Sequence, residues 1–327
     1  PYTTLFRSVS ALKSLGFNYV EETAIGADIV SSLYEKELKS GKYKNIITTA
    51  CPSANFLIEK YYPSLTKYMI PIVSPMLAHG KVLKHNYGIN SFVVFIGPCI
   101  AKKVEADEPQ HNDVIDAVLT FEELDEWLME EKISLPNLKS LPFDRNSTER
   151  GRGYPLDGGV LNSFLKGSSD IRYDVINVDG VDECIDFLEI LNSDRISGVC
   201  AELNACRGGC VNGPGMPKNN MNRYKREKRV KEYIKNRDSN FTYKKVDIPK
   251  DIDFGKLFID KSFPRPNVTD AQIEKVLNSI DKHTTKDELN CSACGYPSCR
   301  DKAIAVIEGM AETSMCMPYM KSKAERL

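Results

Sequence analysis

NIITTA at residues 45–50 runs without a break into Cys51, Pro52 and the amphipathic stretch SANFLIEKYY at 53–62. The β-branched run predicts a strand, and proline suits the first turn of a helix, so Cys51 falls at the turn between the two. The same arrangement recurs at 92–96, where FVVFI runs into Gly97, Pro98 and Cys99. Further strands are predicted at 114–119, at 173–178 and at 197–201, the last leading toward Cys206. Between them lie longer amphipathic stretches, including TFEELDEWLMEE at 120–131, whose Thr120 and Glu123 have capping-box spacing. This alternation predicts an α/β fold with mainly parallel sheets, and in such sheets ligands bind beyond the carboxyl ends of the strands. Three strands therefore deliver cysteines to the edge where a cofactor would sit.

The chain has 327 residues, enough for one large domain and a small appended one. Lys plus Arg (44) nearly cancels Asp plus Glu (45), so charge gives no reason to expect a nucleic-acid partner. No apolar run is long enough to insert in a membrane, and the start lacks the n-region, h-region and cleavage site of a secretory signal, which predicts a cytoplasmic location. The ten cysteines are grouped, and in a reducing compartment they read as metal ligands rather than disulfides. The opening PYTTLFRS connects poorly to the helical pattern that starts near Val9 and suggests an incomplete or artificially joined start. The basic stretch at 218–247 reads as a solvated helix and linker. A boundary is expected around 250–272, a Pro-punctuated stretch without periodicity, after which TDAQIEKVLNSI begins a helix.

The C-terminal run CSACGYPSC places Cys291, Cys294 and Cys299 at close spacing, with Cys316 following after a helical pattern, AIAVIEGMAETSM. Three clustered thiolates and a distant fourth suit the corners of a 4Fe-4S cubane. Zinc held by four thiolates is the alternative, although zinc ribbons usually carry two CxxC knuckles and here there is one. The segment is similar to small 4Fe-4S domains of electron-transfer proteins.

Cys51, Cys99, Cys206 and Cys210 each lie in a Pro- or Gly-rich context whose free backbone N–H groups can face cluster sulfur, and together they suggest one cluster between two α/β lobes. The competing reading makes them buried small apolar residues, as is expected for Cys184 and Cys200. The surrounding words TTACPSA, GPCIAKKVEAD and AELNACRGGCVNGPGMP resemble, in order, the three signature segments of the iron-only hydrogenase catalytic domain. GADIV, DAVLTFEEL and YPLDGGVLNSF resemble its connecting segments. The resemblance covers roughly residues 9–240.

The resemblance implies two lobes with mainly parallel sheets enclosing a buried cluster site, followed by a small, mostly helical iron-sulfur domain. The expected limits are 9–250 for the hydrogenase-like domain and 270–327 for the 4Fe-4S domain. It further implies that Cys51, Cys99, Cys206 and Cys210 ligate a 4Fe-4S cluster, with Cys210 bridging to a diiron subsite bearing CO and cyanide. Lys102 would then hydrogen-bond a cyanide, as the candidate catalytic residue, and Glu105 would pair with a neighbouring lysine. H2 is the ligand so implied, and a ferredoxin-like redox partner or a fused or associated signalling module is the expected partner.

The chain departs from that family pattern at several positions. The proton-donating cysteine of efficient members is Ala50 here, the acidic residues after GAD correspond to 32–34 without a carboxylate, and two methionines that pack on the diiron unit are Gly97 and Asn204. Loss of one positioned proton-transfer group costs roughly 100-fold to 10,000-fold in rate. The expectation is a low-activity hydrogenase or a hydrogen or redox sensor, the alternative being a non-catalytic 4Fe-4S electron-transfer or cluster-assembly protein without the diiron subsite. The four histidines, lacking paired spacing, are expected on the surface or in loops.

Overall fold

The fold is taken from a computed structural model that describes residues 2–147, 149–165, 172–218, 221–235, 248–263 and 267–326. It divides into two compact units, Pro1–Ser262 and Phe263–Leu327. The first unit carries five strands, β1 (Ile46–Ile47), β2 (Val94–Gly97), β3 (Ala117–Thr120), β4 (Asp174–Asp179) and β5 (Val199–Asn204). They form two all-parallel sheets, one in the order β1-β5-β4 and one pairing β2 with β3.

The central strand β5 is buried along its whole length, as a parallel strand covered on both faces must be. Its side chains alternate between two cores. Val199, Ala201 and Leu203 pack with Ile47, Ile58 and Leu188, whereas Cys200 packs with Ile46, Tyr34 and Phe164 on the opposite face. Cys184 and Cys200 are both core residues, and burial pushes each thiol up to about 12, where it stays protonated and inert.

Strand ends and helix starts follow the local chemistry. Thr120 caps the helix Phe121–Glu130 through the full capping box with Glu123, and Pro52 occupies the first turn of Pro52–Tyr61, leaving Cys51 as the N-cap residue. In the second unit Thr269 and Gln272 form another capping box at the start of Asp270–Ser279.

Two expectations change, and a third holds over the residues described. The first helix runs Tyr2–Ser14, so it includes most of the opening stretch that looked poorly connected. The helical pattern at 303–315 stops early, because the helix Cys299–Ile307 ends before Gly309, which has φ 75°. The basic stretch forms the helix Arg223–Lys235 with no buried residue, while 219–220 and 236–247 lie outside the described residues. Among the described residues no helix is long and apolar enough to cross a membrane.

Candidate metal centres

In the first unit β1 and β5 lie side by side in parallel register, Ile46 opposite Cys200, so Cys51 and Cys206 leave from the same edge of one sheet. Cys99 leaves the equivalent end of β2, in the other sheet. Two glycines in the left-handed region, Gly208 (φ 82°) and Gly209 (φ 79°), fold the chain back between Cys206 and Cys210. That turn is pinned from outside. Gly208 N–H donates to Asp179 Oδ2 (2.5 Å) and Val211 N–H to the Pro155 carbonyl (3.1 Å). A Cβ on Gly209 would stand 2.7 Å from the Pro155 oxygen, so only glycine admits the YPLDGG loop so closely. Gly215 N–H donates to the Pro98 carbonyl (2.9 Å), tying the loop after Cys210 to the one before Cys99.

Three of the thiols feel their cysteine neighbours. Burial pushes Cys51 and Cys210 upward and Cys206 up to about 11, and the neighbouring cysteine charges add to each shift. Backbone N–H groups of Ala54 and Ala205 face the Cys51 sulfur and oppose its shift, as does the Lys102 charge. A half-buried, crowded thiol set of this kind suits a polycation among the sulfurs, and backbone donors around them suit cluster thiolates. Among the described residues no three His, Cys, Asp or Glu side chains converge as for a single metal ion. A cubane spaces its four thiolates more widely than one zinc ion does.

Lys102 is buried rather than at the surface. Its Nζ lies 2.7 Å from Glu105 Oε2 and 3.4 Å from the Ala50 carbonyl oxygen, next to Cys51. Glu105 is fully buried and also accepts from Ser74 Oγ (2.8 Å). Burial works to raise its carboxyl, and the ammonium groups of Lys102 and Lys256 outweigh burial and hold it below the usual carboxylate range.

The sequence reading missed the rest of this network. Lys256 reaches Glu105 Oε1 (3.5 Å) and Glu108 Oε2 (2.5 Å), and Lys261 reaches Glu108 Oε1 (2.6 Å) and Glu59 Oε2 (2.9 Å). Both lysines belong to the aperiodic stretch before residue 262, which Phe254 also anchors in the main core. His111 and His79 are likewise buried, against expectation, while His85 and His283 are exposed. His79 Nε2 pairs with Glu21 Oε2 at 2.9 Å. The third-motif Glu202 binds Leu161 N–H (2.8 Å) and Asn204 Nδ2 (2.7 Å), and burial pushes its carboxyl up to about 7.

His111 makes a pH dependence testable. Burial, helped by the Lys256 cation, lowers its ring from 6.5 to about 4. The unfolded chain therefore takes up a proton that the folded chain refuses, so the His111 contribution to stability is level above pH 6.5 and falls as pH drops toward 4, whereas the raised Glu202 carboxyl contributes in the opposite direction below about pH 7. Denaturant unfolding of parent and His111→Leu in parallel isolates the His111 part: the stability difference between them is expected to be constant above pH 6.5 and to shift in favour of the variant as pH falls toward 4.

In the second unit Cys291, Cys294, Cys299 and Cys316 all line one small cavity. The tight loop is built from left-handed residues, Asn290 (φ 46°), Ser292 (φ 54°) and Gly295 (φ 86°). Asn290 Oδ1 accepts from Cys299 N–H (2.8 Å), bringing the third cysteine to the helix start beside the first two.

The family model described as "Iron only hydrogenase large subunit, C-terminal domain" matches residues 3–214. The chain belongs to the iron-only hydrogenase family. A second family model, for an Fe-S cluster domain, matches residues 287–318, so this member of the family is a hydrogenase-like iron-sulfur protein with two cysteine-rich regions. It is 27% identical over 259 residues to Iron hydrogenase 1 of Clostridium pasteurianum, covering 64% of this chain and 45% of that protein. It is 26% identical over 183 residues to a cytosolic Fe-S cluster assembly factor of Yarrowia lipolytica, covering 50% of this chain and 37% of that one. The chain spans about half the length of the curated relatives it matches. A solved apo FeFe-hydrogenase from Chlamydomonas reinhardtii shares the fold, with TM-score 0.57 and 20% identity over 69% of this chain and 77% of that one.

Proposed function

We propose that this hydrogenase-like protein holds a 4Fe-4S cluster at Cys51, Cys99, Cys206 and Cys210 with a diiron subsite attached through Cys210. A second 4Fe-4S cluster, at Cys291, Cys294, Cys299 and Cys316, serves as an electron relay. The domain limits 9–250 and 270–327 and a cytoplasmic location belong to the same reading, the latter supported by likeness to a cytosolic assembly factor. Its role is slow hydrogen turnover or sensing of hydrogen or redox state, with a ferredoxin-like protein or a signalling module receiving the electrons.

The observation that carries the reading is Lys102. A buried ammonium beside Cys51, already neutralised by Glu105 and yet turned toward the Ala50 carbonyl, has the charge and placement to donate to an anionic diatomic ligand. The diiron subsite, when bound, supplies heterolytic cleavage of H2. The chain's own residues exclude water, orient Lys102 and place the sulfurs.

The second reading keeps cubanes only and makes the protein an electron-transfer or cluster-assembly factor. It is favoured by Asn204, whose side chain is committed to Glu202, and by Gly97, where a Cβ would meet the Phe95 ring at 2.7 Å. Space that relatives give to methionine is thus filled differently. Anaerobic protein matured with the hydrogenase maturation enzymes and exposed to H2 separates the two: slow reduction of its clusters by H2, followed by EPR, supports the first reading, and no reduction over hours supports the second.

Ligand assignment is checked by Cys99→Ala. Cys99 supplies the one proposed ligand from the β2–β3 sheet, and in protein made without the maturation enzymes, which carries cubanes only, its loss is expected to lower iron from about eight to about four per chain. The C-terminal cluster's EPR signal should stay unchanged, and iron near eight would reject Cys99 as a ligand.

A further inference from the structure

The C-terminal cavity is lined by two lysines as well as four cysteines. Lys282 and Lys302 face it, and they are only 7% and 1% exposed. Lys302 follows Cys299 by three residues on the helix Cys299–Ile307, which places it on the ligand's face of that helix. Lys282 comes directly after Asp281, a left-handed residue (φ 58°) that turns the chain at the end of Asp270–Ser279.

Among the described residues neither ammonium has an anionic partner. Lys282 Nζ donates to the Asp287 carbonyl (2.7 Å) and Lys302 Nζ to the Thr313 carbonyl (3.2 Å). The ion pairs among the described residues of this unit are Arg300 with Asp270, Lys321 with Glu325 and Arg326 with Asp281. Two buried cations beside a thiol-lined cavity are unfavourable unless the cavity holds an anion. A cubane held by four thiolates is formally a dianion when oxidised and a trianion when reduced, and it meets that need.

We propose that Lys282 and Lys302 raise the reduction potential of the C-terminal 4Fe-4S cluster and so make it an electron acceptor. The inference rests on the assignment of that cluster to Cys291, Cys294, Cys299 and Cys316. Reduction places one electron on the cluster, with no bond made or broken and no proton required. Because it adds negative charge opposite two fixed ammonium groups that are themselves shielded from water, each lysine favours the reduced form more than the oxidised one. Arginine keeps the charge, and methionine keeps the stem without it.

The test is a redox titration of the anaerobic, cluster-loaded full-length chain, with dithionite as reductant, EPR as readout and iron and zinc measured alongside. Lys302→Met and Lys282→Met are each expected to raise the oxidised-to-reduced ratio at fixed potential about tenfold, which is about 59 mV lower for a one-electron couple. Lys302→Arg is expected to stay near the parent protein, and the cluster of the first unit, titrated in the same sample, should not move. Unchanged midpoints in both methionine variants with iron retained would overturn the proposal. Loss of the cluster in Lys302→Met but not in Lys302→Arg would support the same electrostatic role, and loss in both would overturn it. Zinc in place of iron at these cysteines in the parent protein would overturn the cluster assignment itself.

Discussion

Ala50→Cys is expected to raise H2-dependent reduction of a viologen dye by roughly 100-fold or more, the usual worth of one positioned proton-transfer group. Residue 50 lies directly before Cys51, is half-buried against the main core, and offers its carbonyl to Lys102 Nζ at 3.4 Å. Its methyl side chain can neither give nor take a proton, and the nearby phenol of Tyr34 is engaged with Thr49. Burial also raises the Tyr34 hydroxyl far above its usual range, so it holds its proton. A thiol at position 50 replaces an inert group with one that exchanges protons near neutral pH. The comparison is run on parent and variant protein matured in parallel, with iron content matched. A gain below threefold at equal loading would remove Ala50 as the cause of the slow turnover we propose.

The second large effect is on stability. Lys256 stands between Glu105 and Glu108, with its side chain almost completely buried, and Lys256→Met leaves two buried carboxylates sharing one fewer cation. Removing one partner from a buried ionic cluster typically costs about 3–5 kcal/mol. Denaturant unfolding of the first unit is expected to show a loss of that size at pH 7. The double variant Lys256→Met with Glu108→Gln should recover a large part of it, because it removes the charge left over, and a loss without recovery would mean that packing rather than charge is responsible. Lys102 shares Glu105 with Lys256, so disturbance here reaches the residue on which the hydrogen reading depends.

The parts of the fold legible in the sequence are those that local rules control. Strand-to-cysteine turns at 51, 99 and 206, the capping box at Thr120, the helix start in TDAQIEKVLNSI, and the core character of Cys184 and Cys200 all follow from propensity, capping and burial. The three hydrogenase-like words were legible because each packs unusual residues, Pro, Gly and Cys, into a short span. What stayed hidden depends on distant partners. Lys256 and Glu108 are 148 positions apart, and Lys261 and Glu59 are 202 apart. A lysine in an aperiodic stretch carries no sign that its partner is a buried glutamate in another motif. The expectation of His79 and His111 on the surface or in loops fails for the same reason, since burial of a lone histidine is decided by what packs around it. Lys302 did offer a signal, its position three residues after a cysteine on a helix, and the misleading cue was the charge itself, which reads as solvated.

The Ala50, Gly97 and Asn204 replacements pull the two functional readings apart, and the deciding question is whether the first unit carries a diiron subsite. Infrared spectroscopy of anaerobic protein, coexpressed with the hydrogenase maturation enzymes, addresses it in the window where metal-bound CO and cyanide absorb. The account expects bands there that shift under H2 and a cyanide band displaced by Lys102→Met. An empty window in protein carrying about eight irons per chain would contradict it and leave a two-cubane protein.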